Sequence, residues 1–240
     1  MLTSPNSATL LPPNESERLR SLRAHDVLPT LIEPLFDEFV ALTAQVFGLP
    51  ISLIAVVEED EVLYPVHFGM PGPGPGRLPR AGTLCATAIA QDRAVVYHDL
   101  ALETYPAVPA EALHTASQHG VRFYAGALLC LPDQYPLGTL CIVDRQPRTF
   151  SPAEERALGL LAALISHAIA VCHSSRTASD GARQWHGTRV QLQEEVRELT
   201  ALVRYLFTRH GVQVPVPPVL LAQVERRLFD MAGLLREQPC

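Results

Sequence analysis

The side chains best suited to chemistry in this 240-residue chain are five cysteines, at positions 85, 130, 141, 172 and 240. A thiolate can act as a nucleophile, a redox group or a soft metal ligand. No two of the cysteines have the C-x-x-C spacing that is typical of zinc sites and dithiol motifs, so we expect no metal site. An odd number of scattered cysteines, with no signal sequence at the start, predicts a protein of the reducing cytoplasm.

Cys85 is the best candidate for a reactive thiol. The segment TLCATAIAQ (83–91) predicts a short helix capped by Thr83, and a helix N-terminus lowers the pKa of a thiol in its first turn. The preferred interpretation is that Cys85 is a small buried residue packing this helix on a sheet. Cys85 is kept as a candidate ligand-binding residue, and no catalytic residue is predicted.

Cys130 and Cys141 lie on the two strands of a predicted hairpin. If Asp133 pairs with Pro136 across the turn PDQYP, Cys141 faces Leu128 and Cys130 faces Thr139. The thiols then share a face but are offset by roughly 7 Å, which is too long for an unstrained disulfide. With a turn one residue longer they need not share a face. Core packing is expected for both, and Cys141 is also a candidate for the wall of a ligand pocket.

A further group of candidates lies where the same two strands begin and end. Arg122 and Tyr124 share one face by strand alternation, and Phe123 takes the other face. If a pocket lies on the face of Arg122, a guanidinium and a phenol could bind an acidic ligand; if not, Phe123 lines it. Asp144 ends the second strand, either as a ligand contact or as a turn-forming residue.

Composition excludes several classes of chemistry. All 19 basic residues are arginine, so mechanisms that need a lysine amine, such as Schiff-base catalysis or a P-loop, are absent. The net charge of −6 argues against nucleic acid as a partner. No apolar run approaches the roughly 18 residues of a membrane span, so no membrane partner is expected. His114 and His119 are not spaced for a metal pair on one helical face, and we expect them to be polar surface residues near a pocket rim.

An α+β domain must position these candidates. After a flexible tail of residues 1–15, two amphipathic helices are predicted. Two apolar hairpins follow, with short helices and a strand between them, and a Ser-Pro-x-Glu motif at Ser151 starts a long apolar helix. This order predicts a mostly antiparallel sheet flanked by helices. The predicted segments after the first two helices are 51–58, 61–69, 83–91, 94–99, 111–120, 121–131, 137–144 and the helix from 151.

Residues 176–240 differ in kind from this domain. Beyond a linker-like stretch (174–184), apolar residues recur every three or four positions in two helices, which the break GVQVPVPP (211–218) separates. Each helix has an apolar seam but no core of its own. We expect a helical hairpin or coiled-coil bundle that dimerises or docks a partner; the alternative is that both helices fold back on the α+β domain.

A series of strings in order resembles the GAF domain family. The strings are RLRSLRAHDVLPT, LPISLIAVVEEDE, GTLCATAIAQDRAVVYHDL, VRFYAGALL and LGTLCIVDRQPRTFS, followed by the long helix. They cover residues 16–175 and are most similar to bacterial GAF domains placed ahead of signalling output modules. The resemblance implies a PAS-like sandwich of five or six antiparallel strands, with a dimer contact on one face and a ligand pocket on the other.

The chain also departs from several GAF relatives. Many of them place a histidine two residues after the cysteine equivalent to Cys85, where this chain has Thr87, which weakens a metal or acid–base role. Bilin-binding relatives carry a Cys-His pair on the helix that here reads EALHTASQHG, so covalent bilin attachment is disfavoured. Reductases of free methionine sulfoxide need a nucleophilic cysteine in the loop that here reads DLALETYPAVPAE and has none.

Together these features predict a non-catalytic, homodimeric bacterial sensor or regulatory domain. It is expected to bind an unidentified small molecule and to signal to a partner protein, and the sequence identifies no cofactor. The relay requires the helix from Ser151 to continue across residues 174–184. Two alternatives remain open: a thiol-based redox sensor or methionine-sulfoxide-reductase-like enzyme, and a ligand-free dimerisation module.

Overall fold

The computed structural model describes residues 11–70, 72, 74, 76–104, 107–176 and 181–236. Several sequence predictions concern other residues. The first ten residues of the predicted tail, the prolines of PGPGPG, part of the predicted linker and Cys240 all lie outside the described part of the chain.

Six antiparallel strands form one sheet, in the spatial order β3-β2-β1-β6-β5-β4. Their bounds are β1 Ile51–Val57, β2 Glu61–Phe68, β3 Arg77–Pro79, β4 Val95–Tyr97, β5 Phe123–Cys130 and β6 Pro136–Asp144. The predicted α+β class and both predicted hairpins are confirmed. The three-residue strand β3, which pairs with the start of β2, was not predicted.

Seven α-helices accompany this sheet in the described part of the chain. Their bounds are α1 Glu15–His25, α2 Pro34–Phe47, α3 Leu84–Gln91, α4 Ala110–Gln118, α5 Pro152–Ser175, α6 Gly181–His210 and α7 Pro218–Arg236. Local sequence sets two of the starts. Ser151 and Glu154 form a capping box at α5, and the Thr83 hydroxyl accepts a hydrogen bond from the third residue of α3.

The sheet separates two hydrophobic clusters. Along β1, alternate residues point to opposite faces, so that Ile54 joins the larger cluster and Leu53 the smaller one. The larger cluster lies between the sheet and helices α2 and α5. The smaller cluster lies under α3 and α4. Because both faces are covered, every residue of β1 is buried.

The register of the β5–β6 hairpin differs from the predicted one. Cys141 pairs with Gly126, not Leu128, and Cys130 pairs with Pro136, not Thr139. The reason is a wider turn, in which the Leu131 amide donates to the Tyr135 carbonyl, together with a register shift between Leu129 and Cys130. Bulges of this kind insert an extra residue that strand alternation cannot anticipate.

The C-terminal helices pack on the domain. The predicted apolar seams of α6 and α7 are buried in the larger cluster, where α6 contacts α2 and α7 contacts α5. This arrangement is the fold-back alternative that the sequence left open. Dimerisation or partner docking through this segment stays a prediction, because the structure contains one chain.

Helix α5 does not continue into α6. It ends at Ser175, and α6 begins at Gly181. The carbonyl oxygen of Ser175 occupies the space in which a side chain at Gly181 would begin, whereas residues six positions apart in one helix are separated by about 9 Å along its axis. The predicted continuous helix across residues 174–184 is therefore wrong, and a relay by one rigid rod is excluded.

Helix α5 also corrects the expectation about apolar runs. It is the one helix in the described residues that is long and apolar enough to cross a membrane by length and composition. More than half of the most apolar part of this helix is buried, where it packs against β5 and the C-terminal helices. A buried core helix can have the same length and apolar composition as a helix that crosses a membrane.

Candidate functional site

A cavity of about 220 Å³ lies between the sheet and helices α3 and α4 and opens to solvent. Apolar side chains from β1, β2, α3, α4 and β6 form most of its wall. These are Ile51, Leu53, Tyr64, Met70, Leu78, Leu84, Cys85, Ala112, Ala116, Val121, Tyr124 and Val143. The polar residues in the wall are Thr83, Thr115, His119 and Arg145. The cavity therefore has an apolar interior with a few polar groups, as small-molecule sites do.

The structure brings three of the six predicted site residues together. Cys85, from the first turn of α3, and Tyr124, from β5, both line the cavity. Cys141, from β6, lies behind them, contacts Cys85 and does not line the cavity. All three are buried. The sequence could not show that α3 lies over β6.

The other three predicted residues lie elsewhere. Arg122 does not line the cavity, since its guanidinium makes two 2.6 Å hydrogen bonds to the carboxylate of Asp99. Phe123 lies on the opposite face of the sheet, in the larger cluster. Asp144 accepts hydrogen bonds from the next two backbone amides, 2.6 Å and 3.2 Å away, which is the turn-forming role.

Two residues at the cavity were not chosen as sites from the sequence. Arg145 and His119 are both exposed and lie at the solvent-facing part of the wall. Arg145 follows Cys141 and Val143 at intervals of two, so alternation along β6 could have placed it on their face. His119 follows α4, and the sequence predicted a polar surface residue near a pocket rim there without choosing it as a site.

The thiols of Cys85 and Cys141, which lie on the face of the sheet that carries the cavity, form a compact polar cluster. The sulfur atoms of Cys85 and Cys141 are 3.5 Å apart. The Tyr124 hydroxyl lies 3.4 Å from the first sulfur and 3.5 Å from the second and donates to both. The Thr139 hydroxyl lies 3.0 Å from the sulfur of Cys141, and the Tyr64 hydroxyl lies 3.9 Å from that of Cys85. Three hydroxyls thus surround two thiols in an otherwise apolar core.

The hydrogen bonds change the acidity of the two thiols in opposite directions. The hydrogen bond from Cys141, with those from the nearby hydroxyls, lowers the pKa of Cys85 to about 7 despite burial. Burial raises the pKa of Cys141 well above its usual value, and the charge on Cys85 adds to this. Burial likewise keeps the pKa of Tyr64 and Tyr124 high, so both hydroxyls remain protonated donors. The arrangement therefore favours one thiolate, on Cys85.

Metal ligands do not converge in the described part of the chain. Among those residues, no group of three or more histidine, cysteine, aspartate or glutamate side chains is placed to hold a metal ion. The thiol cluster offers two sulfurs and otherwise only hydroxyls.

A cyclic di-GMP phosphodiesterase is similar to this chain over part of its length. The chain is 27% identical over 169 residues to a cyclic di-GMP phosphodiesterase of Pseudomonas aeruginosa, and the match covers 70% of this chain. The matched part is 27% of the length of that relative, so this chain corresponds to about a quarter of it.

Solved structures share the fold at low sequence identity. The GAF domain of Thermosynechococcus elongatus PixJ, in its blue-light-absorbing form, has a TM-score of 0.50 and 14% identity, covering 66% of this chain and 92% of that one. The chromophore-binding domain of a bacteriophytochrome from R. palustris has a TM-score of 0.50 and 13% identity, covering 69% and 64%. The model of the GAF domain family matches residues 32–169, more than half of the chain. The chain therefore belongs to the GAF domain family, a sensor and regulatory fold.

Proposed function

We propose that this chain is a non-catalytic sensor domain that binds a small, mostly apolar molecule carrying an anionic group. One observation carries the proposal: an apolar cavity of about 220 Å³ opens to solvent beside an arginine. Sites for drug-sized ligands have volumes of roughly 300–1,000 Å³, so the cavity favours a smaller, metabolite-sized molecule.

Arg145 is the residue expected to bind the anionic group. Within the described residues, its guanidinium makes no ion pair with a carboxylate, and its own backbone amide is held by Asp144. Arginine is the only fixed cation in this chain, since lysine is absent. A guanidinium forms strong charge-assisted hydrogen bonds with carboxylates and phosphates. Arg122, the earlier candidate, is already paired with Asp99.

The sheet offers a route from the cavity to the C-terminal helices. Strands β5 and β6 present Tyr124 and Val143 to the cavity side and Phe123 and Ile142 to the side of α5. A ligand that shifts these strands would change the packing of α5 and α7 on the far side. Similarity to part of a cyclic di-GMP phosphodiesterase supports a regulatory role in a larger signalling protein.

A homodimer through the C-terminal helices is part of the same proposal. Apolar side chains remain exposed there, including Tyr205 on α6 and Phe229 on α7, each 56% exposed. Light scattering after size exclusion tests this contact. We expect Phe229→Glu to lower the dimer fraction and Gln223→Glu, an exposed position on the same helix, to leave it unchanged. A wild-type monomer at all concentrations contradicts the dimer without affecting the cavity proposal.

Ligand binding is tested with a pair of variants on α4. Ala116 lines the cavity and Ser117 is exposed, so Ala116→Phe fills the site while Ser117→Phe adds the same ring to the surface. Native mass spectrometry of the purified protein and calorimetric titration with phenylacetate as a probe give the readout. We expect Ala116→Phe to abolish binding and Ser117→Phe to preserve it. Equal binding by both variants contradicts the proposed site.

The anion-binding role is tested by replacing the two arginines. A hydrogen bond to a charged group contributes about 1.5–3 kcal/mol, so Arg145→Gln should weaken phenylacetate binding by roughly 10- to 150-fold. Arg122→Gln should change it little, because Arg122 is paired outside the cavity. The uncharged amide of the probe should bind both variants equally. No binding of either probe to wild type would favour the ligand-free dimerisation module.

A further inference from the structure

Two cysteines that are 56 positions apart in the sequence meet beside the cavity. Cys85 comes from α3 and Cys141 from β6, and their sulfur atoms are 3.5 Å apart. A disulfide bond is about 2.05 Å long, so the sulfurs need to approach by about 1.5 Å to form one. Neither thiol forms a disulfide in this structure.

The two thiols differ in access. Cys85 forms part of the cavity wall, so a small reagent that enters the cavity comes next to this residue. Cys141 is fully buried and is not part of that wall. The hydroxyls that donate to the Cys85 sulfur stabilise a thiolate there, and the thiolate is the reactive form of cysteine. Position and hydrogen bonding thus make Cys85 the thiol that reacts first with an oxidant and Cys141 the thiol that reacts with the oxidised Cys85.

We propose that Cys85 and Cys141 are a peroxide-oxidised dithiol pair that forms a disulfide between α3 and β6. The Cys85 thiolate attacks the O–O bond of a hydroperoxide; an S–O bond forms, the O–O bond breaks, and the leaving oxygen takes up a proton as water or an alcohol. The sulfur of Cys141 then attacks the sulfenic acid on Cys85. The S–S bond forms, the S–O bond breaks, and the hydroxide leaves with the thiol proton of Cys141 as water.

The two reaction steps together transfer two electrons from the thiols to the peroxide. Two thiols are oxidised to one disulfide, and one peroxide is reduced. The disulfide ties the helix that forms one wall of the cavity to the central strand behind it, so oxidation alters the site whatever ligand it takes. The inference does not depend on the ligand proposed above, since it needs only the two sulfurs and peroxide access.

The remaining described cysteines provide internal controls. Burial raises the pKa of Cys130 and raises that of Cys172 to about 12, so both thiols are protonated near neutral pH. Cys130 is half-buried and lies on the far end of the β5–β6 hairpin from the cavity cluster. Both should resist peroxide under conditions that oxidise Cys85.

Peptide mapping of the full chain after treatment with hydrogen peroxide tests the pair. Free thiols are blocked with N-ethylmaleimide in denaturant, and the chain is digested with trypsin without reduction. Trypsin cleaves this chain only after arginine, because lysine is absent. Cys85 then lies in peptide 81–93, and Cys141 lies in peptide 123–145 together with Cys130. The Cys130→Ser variant removes this ambiguity.

The expected product is a disulfide that links peptides 81–93 and 123–145 in wild type and in Cys130→Ser, and that disappears on reduction with dithiothreitol. Cys85→Ser and Cys141→Ser should lack it, and Cys141→Ser should accumulate a sulfenic acid on Cys85 that dimedone traps. Wild type and Cys130→Ser carry the test even if a buried serine impairs folding. A freely alkylated Cys85 after peroxide treatment in both proteins, or a link that survives in Cys141→Ser, overturns the proposal.

Discussion

Glu154→Gln is expected to destabilise the protein strongly, because it removes a fully buried charge that holds three segments together. The carboxylate of Glu154 lies 2.7 Å from the guanidinium of Arg148, and the side chains are 0% and 4% exposed. The same carboxylate accepts hydrogen bonds from the backbone amides of Ser151, at 2.7 Å, and Val216, at 3.1 Å. It therefore connects the start of α5 to the segment between α6 and α7.

The geometry sets the size of the effect. One carboxylate oxygen accepts from Arg148 and Val216, and the other accepts from Ser151. In glutamine one of these positions becomes an NH₂ group that faces donors, so either orientation loses hydrogen bonds and leaves Arg148 without its counter-charge. Breaking a buried ion pair by removing one partner costs about 3–5 kcal/mol. That is a large share of the roughly 5–15 kcal/mol by which proteins are stable.

Urea unfolding followed by far-UV circular dichroism measures this loss. Glu155→Gln is the matched control, since Glu155 is the exposed neighbour in the same helical turn and should change the free energy of unfolding by less than about 0.5 kcal/mol. The double variant with Arg148→Met should be less destabilised than the sum of the single variants, because it removes the unpaired charge. A loss below about 1 kcal/mol for Glu154→Gln, or full additivity, refutes the reasoning.

Three further predictions concern buried hydrogen bonds. Arg18 is fully buried and donates to two backbone carbonyls at 2.9 Å and 3.2 Å. Each hydrogen bond to a charged group contributes about 1.5–3 kcal/mol, so Arg18→Met should lower the free energy of unfolding by about 3–5 kcal/mol. The exposed Arg20→Met should not, and thermal unfolding measures both. Because the pKa of Cys85 is lowered to about 7, the rate of disulfide formation with peroxide should rise about tenfold from pH 6 to pH 8, with a midpoint near pH 7, and then level off. The rate for an ordinary thiol with a pKa near 8.5 keeps rising above pH 8, and quenched peptide mapping gives the rate. Tyr124→Phe removes a donor to both sulfurs and should move this midpoint to higher pH, and an unmoved midpoint contradicts the assigned cause. Tyr97→Phe, on the neighbouring strand β4, should leave it in place.

Periodicity predicted most of the elements but not how they meet. The apolar seam of α6, including Trp185 and Leu199, is buried as spacing predicts. The same spacing did not reveal that the seam packs on α2, because an apolar face fits equally well on its own domain or on a second copy. Arg122 illustrates the same limit within the sheet, since alternation gave its face but not its pairing with Asp99.

The sequence by itself determined most of the elements, because turns, caps and apolar periods act over a few residues. It also determined the family resemblance and, through the absence of lysine, the chemistry that is excluded. It also supplied Cys85, Tyr124 and Cys141 as candidates. Only the tertiary structure decided that these three side chains form one cluster and that Arg145, not Arg122, lies at the cavity. It also decided that α5 and α6 are two separate helices and not one continuous helix. Those features depend on strand register and on which helix covers which face, and both are set by packing between residues far apart in the chain.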